Sequence, residues 1–169
     1  MAIRKLRPGS ASSFWKNHPL AASLYDFFIC LIVYYGLFVL IHEGIHLFVL
    51  QSLGGSGSIS WTTGMAYTTI AVAPVAPWAL VLVALSGGIG AFLFGLLMLS
   101  REDEEEERMG IMPNIFAELP YGILEGIYFA TGSTVVYFWM PIVFQAFWLI
   151  GLVYVLFRMI MYWKKEYID

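Results

Sequence analysis

The stretch VLIHEGIHLFVL, Val39 to Leu50, sets two histidines and a glutamate inside a run that otherwise has the composition of a membrane core. A charged side chain at the centre of a membrane helix costs roughly 3 kcal/mol or more. Three ionisable residues so close together therefore need a physical reason. The spacing supplies one. Positions i and i+4 of a helix share a face, so His42 and His46 can turn ring nitrogens toward one metal ion. His42 to His46 reads HEGIH, a match to the H-E-x-x-H pattern of zinc-binding helices. In that pattern the glutamate does not ligate. Glu43 sits where it can accept a proton from an attacking water and pass it to a leaving amine. Zinc suits the site because it takes imidazole ligands in tetrahedral geometry and lowers the pKa of its water to about 7. The competing reading is three unrelated polar residues on one helix face, hydrogen-bonded inside a bundle. It leaves the coincidence of motif and membrane helix unexplained.

Composition puts this helix in a membrane protein. Of 169 residues 60% are hydrophobic and 12% charged, against about 25% charged in soluble domains. Four runs are long enough to cross about 30 Å of hydrocarbon, which takes roughly 20 helical residues. They are Phe27–Leu50, Trp78–Ser100, Ile111–Gly132 and Val135–Phe157. Gly54 and Gly55 offer the first a helix stop. Between the first two, Ile59 and Trp61, then Met65, Tyr67 and Thr69, alternate around Thr62-Thr63-Gly64, which predicts a short β-hairpin. Its unpaired edges cannot face lipid, so it must lie against protein or at the interface. The expected fold is all-α and polytopic, four transmembrane helices with a re-entrant or interfacial hairpin between the first and second. A basic tail over residues 1–26 precedes one membrane domain, 27–157, and a tail over 158–169 follows it. The N-terminal tail lacks the apolar core and small-residue cleavage site of a signal peptide. Cys30, the only cysteine, is expected to be a buried packing residue.

The net charge of −3 comes from one segment, REDEEEER at Arg101 to Arg108, which reads as a solvated loop between two spans. Lysine and arginine carry the orientation. Arg4, Lys5, Arg7 and Lys16 lie in one tail, Arg158, Lys164 and Lys165 in the other, and Arg101 and Arg108 flank the acidic loop. All nine fall on one side of a four-helix arrangement, which the positive-inside rule makes cytoplasmic. The expected location is the cell membrane, multi-pass, with both termini in the cytoplasm. No basic stripe points to nucleic acid.

A catalytic zinc site needs a third protein ligand and an open position. His18 reads as a surface histidine, and Asp26 lies some four helical turns from the motif, too far to reach. The third run carries Glu118 and Glu125, seven residues apart on one face, with Pro120 between them. Glu125 lies deeper in the helix and is the better ligand. Glu118 reads as a helix-start residue or as a group supporting the ligands. GGIGAFLFG, Gly87 to Gly95, permits close helix packing.

HEGIH near the end of one membrane helix, SGGIGAF in the next and PYGILEG, Pro120 to Gly126, in the third resemble the core of the site-2 protease family, intramembrane zinc metalloproteases. The resemblance covers roughly residues 27–132 and leaves the fourth helix outside. It implies one zinc ion per chain held by His42, His46 and Glu125, with Glu43 as general base and the hairpin as the family's re-entrant β element. There are three departures. Glu125 stands where the family has aspartate, Gly88 replaces a proline, and the substrate-positioning asparagines expected near Ala91 and Ala117 are absent, with Asn114 the nearest substitute. The expected activity is cleavage of membrane-spanning or membrane-tethered proteins within the bilayer. With no appended regulatory domain, control is expected from a second copy or a regulatory membrane partner. The rivals are a pseudoprotease that binds membrane helices as adaptor or chaperone, a metal-transport component, and a membrane zincin of the prenyl-protein type, whose larger chamber needs more than four helices.

The charge asymmetry is testable by cysteine labelling in intact cells. An impermeant thiol reagent added from outside should modify a cysteine placed at Ser58 and spare one at Glu104. Labelling at Glu104 would overturn the four-span topology.

Overall fold

The computed structural model describes residues 19–62, 65–74, 76–102 and 105–167. Four helices and one hairpin account for nearly all of them: α1 Pro19–Ser52, β1 Ser56–Thr62, β2 Met65–Val72, α2 Pro77–Arg101, α3 Glu105–Thr131 and α4 Thr134–Tyr167. Each expected run is helical, and three extend further: α3 begins six residues before Ile111, inside the acidic segment expected as a solvated loop, where Glu107 is buried. α1 starts eight residues before Phe27 and α4 continues ten past Phe157. Proline at the head of α1 and α2 fits a first helical turn, where the missing N–H has no partner to lose. α1 has 34 residues, about 51 Å at 1.5 Å per residue, longer than a bilayer core. It stops where the sequence predicts. Gly54 takes φ +80°, a left-handed turn that a side chain would oppose, and Gly55 N–H closes onto Leu50 C=O at 2.9 Å.

The hairpin is antiparallel, with Ile59 opposite Thr68 and Trp61 opposite Ala66. Its turn residues, Thr63 and Gly64, lie outside the described residues. The sheet packs on α1, as its unpaired edges require. Gly57 permits the pairing: a Cβ there would run into the Thr69 carbonyl.

Three of the four helices are long and apolar enough to cross a membrane: Ala21–Ser52, Pro77–Arg101 and Thr134–Met161. The fourth expected span, 111–132, falls in α3, which does not meet that standard. α3 carries Glu118 and Glu125, the charged first turns at Glu105–Arg108, and prolines at 113 and 120, through which the helix continues. It packs against α1, α2 and α4, and Ile111, Asn114, Ala117 and Glu118 on it are buried. Outward faces are greasy instead. Ile32, Phe48, Val135, Phe138, Phe157 and Ile160 are each more than half exposed, the inverse of a water-soluble surface.

Buried side chains form two clusters. Phe27, Leu31, Met109, Val155 and Met159 join α1, α3 and α4 near the chain ends. Cys30, Tyr34, Phe38, Ala91 and Ile111 join α1, α2 and α3, so Cys30 is the packing residue that the sequence suggests. Above them α2 and α3 meet through glycine. A Cβ on Gly88 would lie 2.5 Å from the Glu118 carbonyl oxygen and 2.5 Å from Gly122 Cα. The run at Gly87–Gly95 is therefore a packing surface.

Gly88→Ala should force these backbones apart and cost about 1–3 kcal/mol, the usual penalty for overpacking. Gly36→Ala meets nothing within 4 Å and should leave the melting temperature unchanged or raise it slightly. Thermal unfolding in one detergent compares the two, and equal melting temperatures would rule out the crossing.

Candidate metal centre

His42 and His46 sit late in α1, one turn apart, with residue exposures of 5% and 6%. Each ring is fixed by a partner on its Nδ1. His46 Nδ1 is 2.6 Å from the backbone carbonyl of Val83 in α2. A carbonyl only accepts, so Nδ1 carries the proton and Nε2 of the neutral ring holds a lone pair. His42 Nδ1 is 2.7 Å from Glu118 Oε2 on α3. The carboxylate accepts a hydrogen bond from Nδ1–H, which in the neutral ring leaves His42 Nε2 as a lone pair.

These two nitrogens face each other at 2.9 Å. Glu125 Oε2 closes the triangle, 3.1 Å from His42 Nε2 and 3.3 Å from His46 Nε2. With both rings neutral, three electron-pair donors converge here. One shared proton relieves at most two of the contacts; a cation touching all three relieves every one. The dimensions agree. Ligands about 2.0 Å from a tetrahedral zinc stand about 3.3 Å apart, close to all three edges. His42, His46 and Glu125 are the group of described residues able to hold a metal ion.

Gly87 on α2 makes room for this arrangement. A Cβ there would collide with the His46 ring and lie 2.8 Å from His42 Nε2. Only a residue without a side chain lets α2 come this close to the histidine pair.

Glu43 is outside the ligand triangle. Its Oε2 accepts a hydrogen bond of 2.8 Å from the Thr68 hydroxyl of β2, so the hairpin holds the carboxylate. Glu43 and His42 together line a cavity of about 210 Å³, whose other walls include Tyr35, Ala66, Tyr121 and Phe144. The Tyr121 ring stacks at a tilt on His42, with centroids 5.6 Å apart, and meets Phe144 edge-on at 5.4 Å.

Of the residues singled out in the sequence, His42, His46 and Glu125 come together as one donor set. Glu118 supports His42 from its far side. Asn114 does neither: its Oδ1 accepts from Trp148 Nε1 at 3.2 Å, which ties it to α4 and away from the cavity lining. His18 lies outside the described residues. Sequence reasoning gave Gly87 a packing role without tying it to the histidines, and missed Thr68 and Tyr121. Tyr121 had a signal, since it stands three residues after Glu118 and four before Glu125, on the same helical face. Thr68 had none, because only the folded hairpin brings it to Glu43.

Comparison of the chain with protein-family models, curated proteins and solved structures yields no match. The site therefore stands on its own geometry.

That geometry assigns different duties to the two glutamates. Glu125→Ala, like His46→Ala, should empty the site in metal analysis of the purified protein. Glu118→Ala should keep a metal but hold it about 10–100-fold more weakly against a competing chelator, as is usual when the partner of a ligating histidine is removed. The opposite pattern would exchange the two roles.

Proposed function

We propose that the chain is a zinc-dependent intramembrane endopeptidase and a divergent relative of the site-2 proteases. The observation that carries this reading is the triangle of His42, His46 and Glu125 beside Glu43, with both histidines and Glu43 in a helix apolar enough to cross a membrane. Two imidazoles and one carboxylate form the donor set of catalytic zinc sites, which keep a fourth position open. Bound there, zinc would polarise a scissile carbonyl and acidify the attacking water. Glu43 takes the proton from that water and delivers it to the departing amine. The Thr68 hydroxyl holds its Oε2, and Glu43 lines the cavity.

The substrate is a membrane-spanning or membrane-tethered protein that reaches the site from the bilayer. A helix keeps its carbonyls in backbone hydrogen bonds, closed to attack. A substrate segment therefore enters unwound, with its carbonyls released from helical hydrogen bonds. β2 has an unpaired edge and reaches the cavity through Ala66, so the segment can add to it as a further strand. In the same reading α3 is the fourth crossing. Its polar residues are turned toward the other helices, and both termini and the 101–108 connection between α2 and α3 face the cytoplasm.

A second reading has one observation in its favour. Asn114, the nearest stand-in for the family's asparagines, is engaged by Trp148. A protein that binds membrane helices without cutting them would need no such residue.

Glu43→Gln separates the two. It keeps shape and hydrogen bonding but removes the base. The variant should retain zinc and lose cleavage by at least about 10²-fold, the low end for general acid–base catalysis. His42→Ala should lose both. Membrane proteomes from cells carrying the wild type or Glu43→Gln would reveal the products. Products formed equally by both would defeat the catalytic assignment, and helix binding by both with cleavage by neither would favour the adaptor.

A further inference from the structure

The fourth helix lies outside the sequence resemblance, yet it supplies one wall of the cavity through Pro141, Phe144 and Gln145. Gln145 is out of character with its surroundings. From Thr134 to Phe157 it is the only amide or charged side chain, in a segment apolar enough to cross a membrane. It is exposed on the helix surface, and among the described residues no partner for its amide is found. An amide left in hydrocarbon without a hydrogen-bond partner is costly. Yet its side chain shares a cavity with Glu43, His42 and Tyr121.

We propose that Gln145 is a substrate-binding residue, whose amide pairs with the backbone of the unwound segment lying in the cavity. This rests on the endopeptidase reading for the segment's fate, though not for its binding. The chemistry matches, because a primary amide both donates and accepts, as a peptide unit does. The remaining walls offer apolar and aromatic surface from Val39, Tyr35, Pro141 and Phe144, suited to side chains of a membrane segment. An intact helix has no free backbone groups to offer Gln145; an unwound one has several. The residue therefore discriminates by backbone state rather than by side-chain identity. Pairing with a second copy of the chain would also satisfy a lipid-exposed glutamine. The shared cavity with Glu43 favours the substrate.

The test uses full-length, zinc-loaded protein in lipid nanodiscs, with Glu43→Gln in every sample so that binding is measured without turnover. One probe is a fluorescent, lysine-flanked peptide of about twenty leucines and alanines. The other has Gly-Pro-Gly at its centre to break the helix. Adding Gln145→Leu should weaken binding of the broken peptide about tenfold, the order of one lost hydrogen bond. Binding of the unbroken peptide and the zinc content should not change. Equal affinities with and without Gln145, an equal loss for both peptides, or no binding of the broken peptide at all would each overturn the proposal. So would a change in oligomeric state alone, which would assign Gln145 to self-association. If wild-type protein cuts a substrate, Gln145→Leu should raise KM with little change in kcat. Binding that depends on Gln145 in a protein that cuts nothing would sink the protease reading and leave this one standing. Cleavage with KM untouched by Gln145→Leu would do the reverse.

Discussion

Everything near the centre of this molecule is arranged around three electron-pair donors that converge on one point. His42 Nε2, His46 Nε2 and Glu125 Oε2 lie 2.9–3.3 Å apart, separations at which acceptors repel unless something positive joins them. The outer nitrogens dictate this. Because Val83 and Glu118 accept hydrogen bonds from the two Nδ1–H groups, the inner nitrogens carry no proton when the rings are neutral. The two supports come from different helices, so α1, α2 and α3 must all be in place before the donor set exists. A cation bound there would lock the three together, coupling metal binding to the packing of the bundle.

The close approach of those helices comes from missing side chains. Gly87 admits α2 to the histidines, and Gly88 meets Gly122 where α2 crosses α3. In lipid no hydrophobic effect drives helices together, so close backbone contact and polar contacts between helices must. Here both occur within one turn. The glycines set the spacing, and the Val83, Glu118 and Glu125 contacts fill it with hydrogen bonds to the two histidines. A side chain at either glycine would disturb the crossing and the site at once.

Much of this was legible in the sequence, for reasons of periodicity. A period of 3.6 put His42 with His46 and Glu118 with Glu125 on common faces, and a period of two marked the hairpin strands. The apolar runs marked the helices to within a few residues, except at the head of α3, which begins at Glu105 in the segment read as a loop, and at the outer ends. There α1 and α4 continue as helix into segments that their composition assigned to tails. Contacts between elements were not legible. Nothing in the run from Met65 to Val72 says that Thr68 will reach Glu43, since register and docking onto α1 decide it. Asn114 had the right chemistry for a substrate-positioning role, but Trp148, distant in sequence, claims its oxygen. The reading of Glu125 over Glu118 rested on depth along one helix. What separates the two in the structure is which nitrogen of His42 each one faces.

α3 shows why hydropathy alone misjudges an enclosed helix. A window average counts every residue as if it met lipid, so Glu118 and Glu125 count fully against it. Environment acts on faces instead. Glu118 is 3% exposed, its charge set against a histidine rather than against hydrocarbon. Residues on the remaining faces of α3 include Phe116, Ile123, Ile127 and Phe129, each more than a third exposed and apolar. A helix with greasy outer positions and carboxylates turned onto two histidines meets the requirement that intramembrane ionisable groups face protein and find partners. The polarity that sets α3 apart from the three plainly apolar helices is the same polarity that completes the candidate metal site. A less polar third helix would cross a membrane more readily and leave His42 and His46 with nothing to hold.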